Sequence, residues 1–590
     1  MNTNNGNVIE LFMWGYQRHA QISVQVSAEG LFNHLDKELN PKVFFVGVLV
    51  EEKENRHPIC LEPDDTAFHV SCFSDVKALT SELVKVDGES RIMHSHPNAQ
   101  ENHNNRILKR AYKKAVLKIL QRESVYGDEA FFVAYPTLVE GYLVFTVLTL
   151  DKKVLSKYYS LTNDKWNDHF DISRSFIESC INTFLNECTY ELKDPDRGIN
   201  FLSRRADELL RDSSRNFMYT ISSAGGNLDG LHGLYNACNE IASMKYEGTE
   251  GLGGLIVAPS SHDNIRMILE LKQPIKMRNH RKVRKFLELV DSESYIISDS
   301  ALIYGLGKLI GKYNPKDENI FVISFKNHLK WEILHDDNPL MVVEYGIPNL
   351  PKEKINRDKF YGDFPRLFKG IKKKQIDALW EVTMEATKQK SGAMLIISSQ
   401  AEAEAKRLGS QCFPLEPLNL NSKLIAQTTA IDGGVLMDEN ATCYAIGVIL
   451  DGIATEKGDS SRGSRYNSAI RYYEHFGADA PVVIVVISED GMINLIPELR
   501  PQIKHSEITD AIENFEGLLE SEVFEGKCFN KCMSFFQNIN FYLTEQECNT
   551  INSLRQQIEE KFAKDLFKVR VVYNDLSPYP EMNESYYCIE

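Results

Sequence analysis

The stretch Lys423–Gly447 reads KLIAQTTAIDGGVLMDENATCYAIG, and its hydrophobic period changes along the way. Apolar spacing of three and four predicts a helix over Ser422–Ala430, whereas the runs Val435–Met437 and Thr442–Ile449 predict strands. Between helix and strand stands Asp432-Gly433-Gly434, a carboxylate followed by two residues without bulk, which lets a ligand approach the backbone closely. Downstream, Gly463-Ser464-Arg465 opens an amphipathic helix that runs to about Phe476. A glycine, a hydroxyl and an arginine at a helix start form an anion cradle of free N–H groups, dipole and guanidinium. The strand Pro481–Ile487 (PVVIVVI) then ends in Ser488-Glu489, at a C-terminal strand end where α/β ligand sites usually lie.

Upstream, the helix Lys372–Lys390 and the strand Ala393–Ile397 complete this unit, and the same pattern occurs once more. Leu234–Met244 echoes Leu379–Lys388, and Gly254–Ser261 echoes Ala393–Gln400. Val283–Gly307 runs beside Lys423–Gly447 at an offset of 140, so that Gly307 meets Gly447. Phe321–Ser324 (FVIS) parallels Val485–Ser488 (VVIS). At that offset Asp432 falls on Ser292 and Gly433 on Glu293, and the helix of the anion cradle has no counterpart.

Around this repeat the chain divides into six segments. Residues 1–150 form an N-terminal α/β domain, with strands at Val43–Val50, Phe131–Val133 and Tyr142–Leu150 and a helix at Asn105–Gln121. A helical extension, 151–221, has helices at Phe176–Leu185 and Phe201–Leu210 and ends at the Gly/Ser-rich break Ser222–Leu228. Residues 222–346 hold the first copy of the repeat, 347–369 a charged, proline-containing linker, and 370–500 the second copy. Residues 501–590 form a C-terminal helical appendage: helices Glu507–Leu519 and Glu545–Phe562, a strand Lys568–Tyr573, and a polar tail.

Composition narrows the class. With 590 residues the chain is too long for one core. Lys+Arg number 67 against 83 Asp+Glu, a formal charge of −16, which argues against a general binder of nucleic-acid backbones. No apolar run reaches the ~20 residues of a membrane span, and no secretory signal opens the sequence. Eleven scattered cysteines, with Cys528 and Cys532 as an isolated pair, imply reduced thiols in a cytoplasmic protein.

The order Asp432-Gly433-Gly434, Gly463-Ser464-Arg465-Tyr466-Asn467 and Ser488 resembles the diadenylate cyclase (DAC) family. That family carries Asp-Gly-Ala, then Gly-Thr-Arg-His-Arg at a helix start, then a strand ending in Ser. The resemblance implies a multidomain α/β chain. Its DAC-type mixed β-sheet is flanked by helices and preceded by a degenerate DAC-like α/β sensor or dimerisation unit and the N-terminal α/β domain. It also implies a reaction, the condensation of two ATP into cyclic di-AMP with release of two pyrophosphates. Two DAC domains of a homo-oligomer would meet face to face, and the upstream region would sense an unknown ligand. Asp432 and Gly433 take the catalytic positions. Gly434, Gly463, Ser464, Arg465, Asn467 and Ser488 take the ATP-binding ones, and Asp432 with Glu489 would hold Mg²⁺ or Mn²⁺. Gly434 for Ala and Ser464 for Thr are conservative changes, whereas two positions depart further: Tyr466 stands for His and Asn467 for the second Arg, with Arg462 or Arg471 as substitutes for the lost arginine. These departures admit an alternative, a DAC-fold nucleotide sensor without turnover or a synthase of another nucleotide product.

Three other features draw separate readings. His94-Ser95-His96-Pro97 matches the HxHP of JAMM zinc peptidases, but Asn104 and Ile107 stand where that family has Ser and the Asp ligand. Glu89, Glu101 or His103 would have to supply the missing group for a metal-dependent hydrolase. Lys276–Lys285 (KMRNHRKVRK) is the most basic stretch and reads as a solvated helix face. Gly251–Gly254 (GLGG) precedes its strand, which is the wrong side for a dinucleotide fingerprint.

Overall fold

A computed structural model describes residues 12–51, 56–63, 68–124, 128–162, 172–196, 202–226, 233–259, 261–291, 293–351, 357–388, 392–453, 458–459, 462–477, 479–488, 493–520, 526–561 and 573–588. The fold is mixed α/β, and the chain separates into two compact units, Met1–Lys352 and Glu353–Glu590.

The first unit opens with α1 (Gln17–Leu35), β1 (Lys42–Leu49), β2 (Ile59–Glu62), α2 (Val76–Val86), α3 (Pro97–Glu123), β3 (Glu129–Val133), β4 (Thr137–Val139), β5 (Tyr142–Asp151) and the single turn α4 (Lys152–Leu155). The strands form an antiparallel sheet in the order β2-β1-β5-β3, with β4 also on β5. Both faces of β1 are covered. Val43 and Phe45 pack with Val24, Leu31 and Phe32 of α1, while Phe44, Val46 and Val48 pack with Val76 of α2 and Val116 and Ile119 of α3. A strand buried on both sides loses polar alternation and reads as the continuous apolar run VFFVGVL.

Next come α5 (Phe176–Glu191) and α6 (Ala206–Ala224). The helix expected over Phe201–Leu210 starts at Ala206 and continues through the expected break at Ser222. Its apolar stripe, Leu209, Leu210, Phe217, Met218 and Ile221, keeps helical spacing and is buried, so the serines do not end it. Gly225 follows because a Cβ there would lie 2.2 Å from the carbonyl oxygen of Asp299.

The unit closes with α7 (Leu234–Ser243), β6 (Gly253–Val257), β7 (Ile265–Lys276), α8 (His280–Leu287), β8 (Tyr295–Ser298), β9 (Leu302–Leu309), β10 (Phe321–Asn327), β11 (Lys330–His335), β12 (Asn338–Glu344) and β13 (Ile347–Asn349). Their order is β13-β12-β11-β10-β6-β8-β9-β7; β6 and β8 run parallel, the other pairs antiparallel. Both sheets and α5–α6 share one apolar core, from Trp14 and Phe45 through Phe184 and Phe217 to Trp331 and Val343. The basic stretch is not uniformly solvated. Arg284 is buried, donating to the carbonyls of Met244 and Thr249 at 2.9 Å each and pairing with Glu288 at 2.5 Å. In the GLGG stretch, a Cβ on Gly251 would lie 2.9 Å from Arg284 and one on Gly254 2.5 Å from Tyr295, so these glycines serve packing.

The second unit contains α9 (Arg357–Leu367), α10 (Lys373–Ala386), β14 (Ala393–Ser398), α11 (Ala401–Arg407), β15 (Phe413–Asn419), α12 (Ser422–Thr428), β16 (Gly434–Met437), β17 (Thr442–Val448), α13 (Ser464–Phe476), β18 (Val482–Ile487) and β19 (Ile493–Ile496). The sheet runs β15-β17-β16-β14-β18-β19 with β14 and β16 parallel. Leu395 and Ile397 face α9, α10 and α12, whereas Met394 and Ile396 face α11 and α13. The segment read as a linker is partly structured: Ile347–Asn349 is β13 at a sheet edge, and Phe360 and Phe364 of α9 enter the second unit's core. Then follow α14 (His505–Gly517), α15 (Gly526–Asn538) and α16 (Glu545–Lys561). The end is not merely a polar tail. Tyr573, Leu576 and Tyr586 are buried against these helices, and Tyr587 bridges Ile503. The strand expected at Lys568–Tyr573 lies, except for Tyr573, outside the described residues.

Strand order β7-β9-β8-β6-β10-β11 in the first unit matches β15-β17-β16-β14-β18-β19 in the second, with the parallel pair in the same place. The ladders correct the offset. Leu255 and Leu395, 140 apart, both face the core under the helices before their strands, unlike Met394. With them taken as equivalent, their parallel partners Ile296 and Val435 are 139 apart, so Asp432 corresponds to Glu293. Ser292 lies outside the described residues. Leu255 also pairs with Ile323 and Leu395 with Val485, so the FVIS and VVIS match is displaced by two residues. A two-residue slip keeps every side chain on its face, so the pattern does not reveal it.

Candidate functional site

One end of the second unit's sheet collects most of the residues singled out in the sequence. β16 is parallel to β14, and β18 is antiparallel to it with Ile487 opposite Ala393. The start of β16, after Asp432-Gly433, and the end of β18, at Ser488, therefore share an edge two strand spacings apart, roughly 10 Å. β17 arrives there too, since Val448 pairs with Gly434.

Gly433 holds this corner together. Its φ is +101°, and a Cβ on it would lie 2.6 Å from the carbonyl carbon of Gly447, so only glycine brings Asp432 onto β17 unstrained. Gly434 is buried, with Ile396 and Met394 where a side chain would go. Gly447, at φ +62°, abuts the ring of Phe413. Sequence reasoning missed Gly447 and Phe413 as parts of this corner. Only the pairing of β17 with β16 and β15 reveals them.

α13 delivers the charge. Gly463 is its N-cap with no side-chain cap, and Ser464 and Arg465 begin the helix, leaving first-turn N–H groups and the dipole's positive end for an anion. Arg465 Nη2 donates to Asp432 Oδ1 at 3.1 Å across 33 residues of sequence. Asp432 is 98% exposed in its side chain and Arg465 26%, so the arginine is partly sheltered while the carboxylate stands in solvent. In such an exposed position the pair contributes little stability, below about 1 kcal/mol.

Asn467 is engaged by the loop before its helix. Its Nδ2 donates to the carbonyls of Asp459 and Arg462 at 2.9 and 3.1 Å, and its Oδ1 accepts from the Asp459 N–H at 2.9 Å. It clamps the loop leading into α13. The Arg462 guanidinium lies 5.2 Å from the centre of the Tyr466 ring, so a cation sits at the helix start over the residue that replaces His. Arg471 turns back instead, donating to the Asn467 carbonyl at 3.1 Å. The incoming loop is anchored further by Arg407, which forks onto Asp451 at 2.6 and 2.9 Å. Ser488 is half-buried at the end of β18, and Glu489 lies outside the described residues.

Among the described residues no three His, Cys, Asp or Glu side chains converge as a metal cluster, at Asp432, at Cys528/Cys532 or at His94/His96. His96 is the N-cap of α3, and His103 Nε2 lies 3.0 Å from the Glu89 carbonyl with Nδ1 3.1 Å from Arg106. The His94 N–H donates to Gln100 Oε1 at 2.6 Å, which ties the HxHP loop to α3. No helix is long and apolar enough to cross a membrane, among the described residues.

Comparison with known families finds three matches along the chain. Residues 381–499 match the family model described as DisA bacterial checkpoint controller nucleotide-binding, the DAC domain. Residues 13–218 match the probable sensor domain DACNG, and residues 232–337 the probable sensor domain DACNH. No curated protein matches the chain.

Proposed function

Because this chain carries a DAC domain behind two probable sensor domains, the arrangement of a diadenylate cyclase, we propose that it condenses two ATP into cyclic di-AMP. The contact of Arg465 with Asp432 at the uncapped start of α13 carries this reading. It puts an anion cradle and a carboxylate side by side, as a phosphoryl transfer governed by positioning and charge neutralisation requires. The first-turn N–H groups of α13, Ser464 and Arg465 hold the triphosphate, and Ser488 binds phosphate oxygens. Gly463, with open space where a side chain would stand, lets the nucleotide approach the backbone, while Gly433 and Gly434 pack the corner that holds Asp432. Arg465 turning to the phosphates releases Asp432, whose carboxylate orients the ribose 3′-hydroxyl and takes up its proton. The 3′-oxygen attacks the α-phosphorus of the partner nucleotide, the bond to the bridging oxygen breaks, and pyrophosphate leaves; the reciprocal step closes the ring.

A divalent cation, Mg²⁺ or Mn²⁺, fits this site, since Mg²⁺ typically takes one or two carboxylates plus substrate phosphates and Asp432 is open to solvent. Asp432 would hold it, Glu489 being the second ligand implied by the sequence, and bound it would neutralise phosphate charge. Two such sites must face each other in a homo-oligomer. Phe413, Ile431 and Ile449, 64, 41 and 60% exposed at or beside this corner, support an apolar contact surface there. The upstream domains act as the sensor in this scheme, in a cytoplasmic protein.

Asn467 favours a second reading, a nucleotide sensor without turnover, because its amide serves the loop where the family has a phosphate-binding arginine. The purified chain incubated with ATP and Mn²⁺ or Mg²⁺, with products separated by chromatography, decides between them. Cyclic di-AMP is the expected product; tight ATP binding with no cyclic dinucleotide selects the sensor.

A further inference from the structure

A second cleft, of about 1350 Å³, opens in the second unit between α9, the segment after β19 and the C-terminal residues. It lies away from Asp432: β19 ends opposite the start of β18, since Ile496 pairs with Ile484, whereas Ser488 ends β18 at the other side of the sheet. Arg366 lines this cleft with a side chain only 7% exposed. Its Nη1 donates to Asp363 at 3.0 Å and to the Arg500 carbonyl at 2.9 Å. Nε and Nη2 are buried with no hydrogen-bond partner among the described residues. These two N–H groups point the same way along one edge of the guanidinium and suit the two oxygens of a carboxylate or phosphate. Leaving them unmet is costly, so an oxyanion that met both would be favoured there.

The rest of the lining specifies what carries the oxyanion. Tyr473, Phe541, Tyr579 and Tyr587 border the cleft, and Tyr586 lies under Arg366 with its ring centre 4.7 Å away. Arg500 stacks on Phe541 at 4.2 Å, adding a second cation. Flat faces and guanidinium planes favour a planar ring. We propose that this cleft is a second ligand site, binding a small oxyanion borne on a planar ring system through the Nε–Nη2 edge of Arg366. Tyr473 belongs to the last turns of α13, so an occupant would touch the helix whose first turn carries Arg465.

Calorimetric titration of the full chain with AMP, adenosine and benzoate tests the site. Variants R366Q, Y579A and R465A are compared, with melting temperatures to confirm folding. AMP or benzoate binds wild type and R465A alike, and R366Q weakens it about tenfold or more. AMP alone identifies a phosphate ligand and benzoate alone a carboxylate. Should R366Q not fold, Y579A, partly exposed at the rim, decides: weakened binding supports the site and unchanged binding overturns it. Also overturning are no saturable binding at millimolar concentration, adenosine binding as tightly as AMP, or AMP binding lost in R465A but kept in R366Q. The last result would put AMP in the Asp432 site, whose own failure would show separately as absent ATP turnover.

Discussion

The six strands β7-β9-β8-β6-β10-β11 and the six strands β15-β17-β16-β14-β18-β19 share one connectivity, yet different structures hang from them. Between β17 and β18 the second sheet inserts α13 with its uncapped start, whereas between β9 and β10 the first has only a short turn at Pro315–Asp317. α11, between β14 and β15, is likewise absent between β6 and β7 among the described residues. At the corner of β16 the second sheet has Asp432-Gly433; at the corner of β8 the first has Glu293-Ser294. There Asp291 accepts from both N–H groups at 2.9 Å and closes a tight turn on itself. The sheet is a common scaffold, and the capacity to hold an anion comes from the helix and the glycines added to it.

Substitutions at paired positions test this contrast most sharply. Asp432→Asn should lower cyclic di-AMP synthesis by about 10²–10⁴-fold, the range for loss of an acid–base group, while Glu293→Gln leaves it unchanged; product chromatography of both reads the difference. Equal loss in the two would erase the distinction between the sheets. Gly433→Val should destabilise the second unit by about 3 kcal/mol through its positive φ and the clash with Gly447, visible in urea unfolding. Next in size, Arg465→Ala should weaken ATP binding about tenfold to a hundredfold, by loss of charge-assisted bonds, in a titration with ATP. Asn467→Ala should cost about 1 kcal/mol of stability by releasing the loop at Asp459 and Arg462. If instead it abolishes ATP binding with stability intact, Asn467 is a phosphate ligand and the family role stands.

A pH effect belongs to the first unit. His335 is fully buried, with Tyr159 at 2.7 Å from Nδ1 and Tyr313 at 3.3 Å from Nε2, and burial lowers its pKa. Glu318 and Asp336 oppose that shift without overcoming it. A histidine with a depressed folded pKa binds fewer protons folded than unfolded. Stability is therefore fully present above the unfolded pKa, near 6.5, and falls as pH drops below it, by at most about 1.4 kcal/mol per pH unit. Unfolding midpoints between pH 7 and 5 should show this slope, reduced in His335→Gln.

Much of the second unit was legible in advance, because its signals are local. The turn at Asp432-Gly433-Gly434, the helix start at Gly463 and the buried strand before Ser488 each follow from residue type and spacing, and their order carried the family resemblance. Even the repeat was readable, since buried strands keep their apolar pattern in both copies. Less legible was whatever depends on contacts between distant segments. The serines after Met218 read as a break, but packing against β6 and β13 of the same unit carries α6 to Ala224. Arg284 read as a surface charge, but the carbonyls of Met244 and Thr249 make burial affordable.

Residue order alone thus determined the α/β class, the twofold pattern and the identities of the cradle residues, because these rest on periodicity and on the backbone preferences of glycine. Tertiary structure decided the rest. It brought Arg465 to Asp432, tied Asn467 to the loop before α13, made Glu293 the counterpart of Asp432 in strand order, and closed the C-terminal residues over Arg366. Each of these depends on strand register or on a hydrogen bond between remote segments, and a period-two pattern is blind to a two-residue slip.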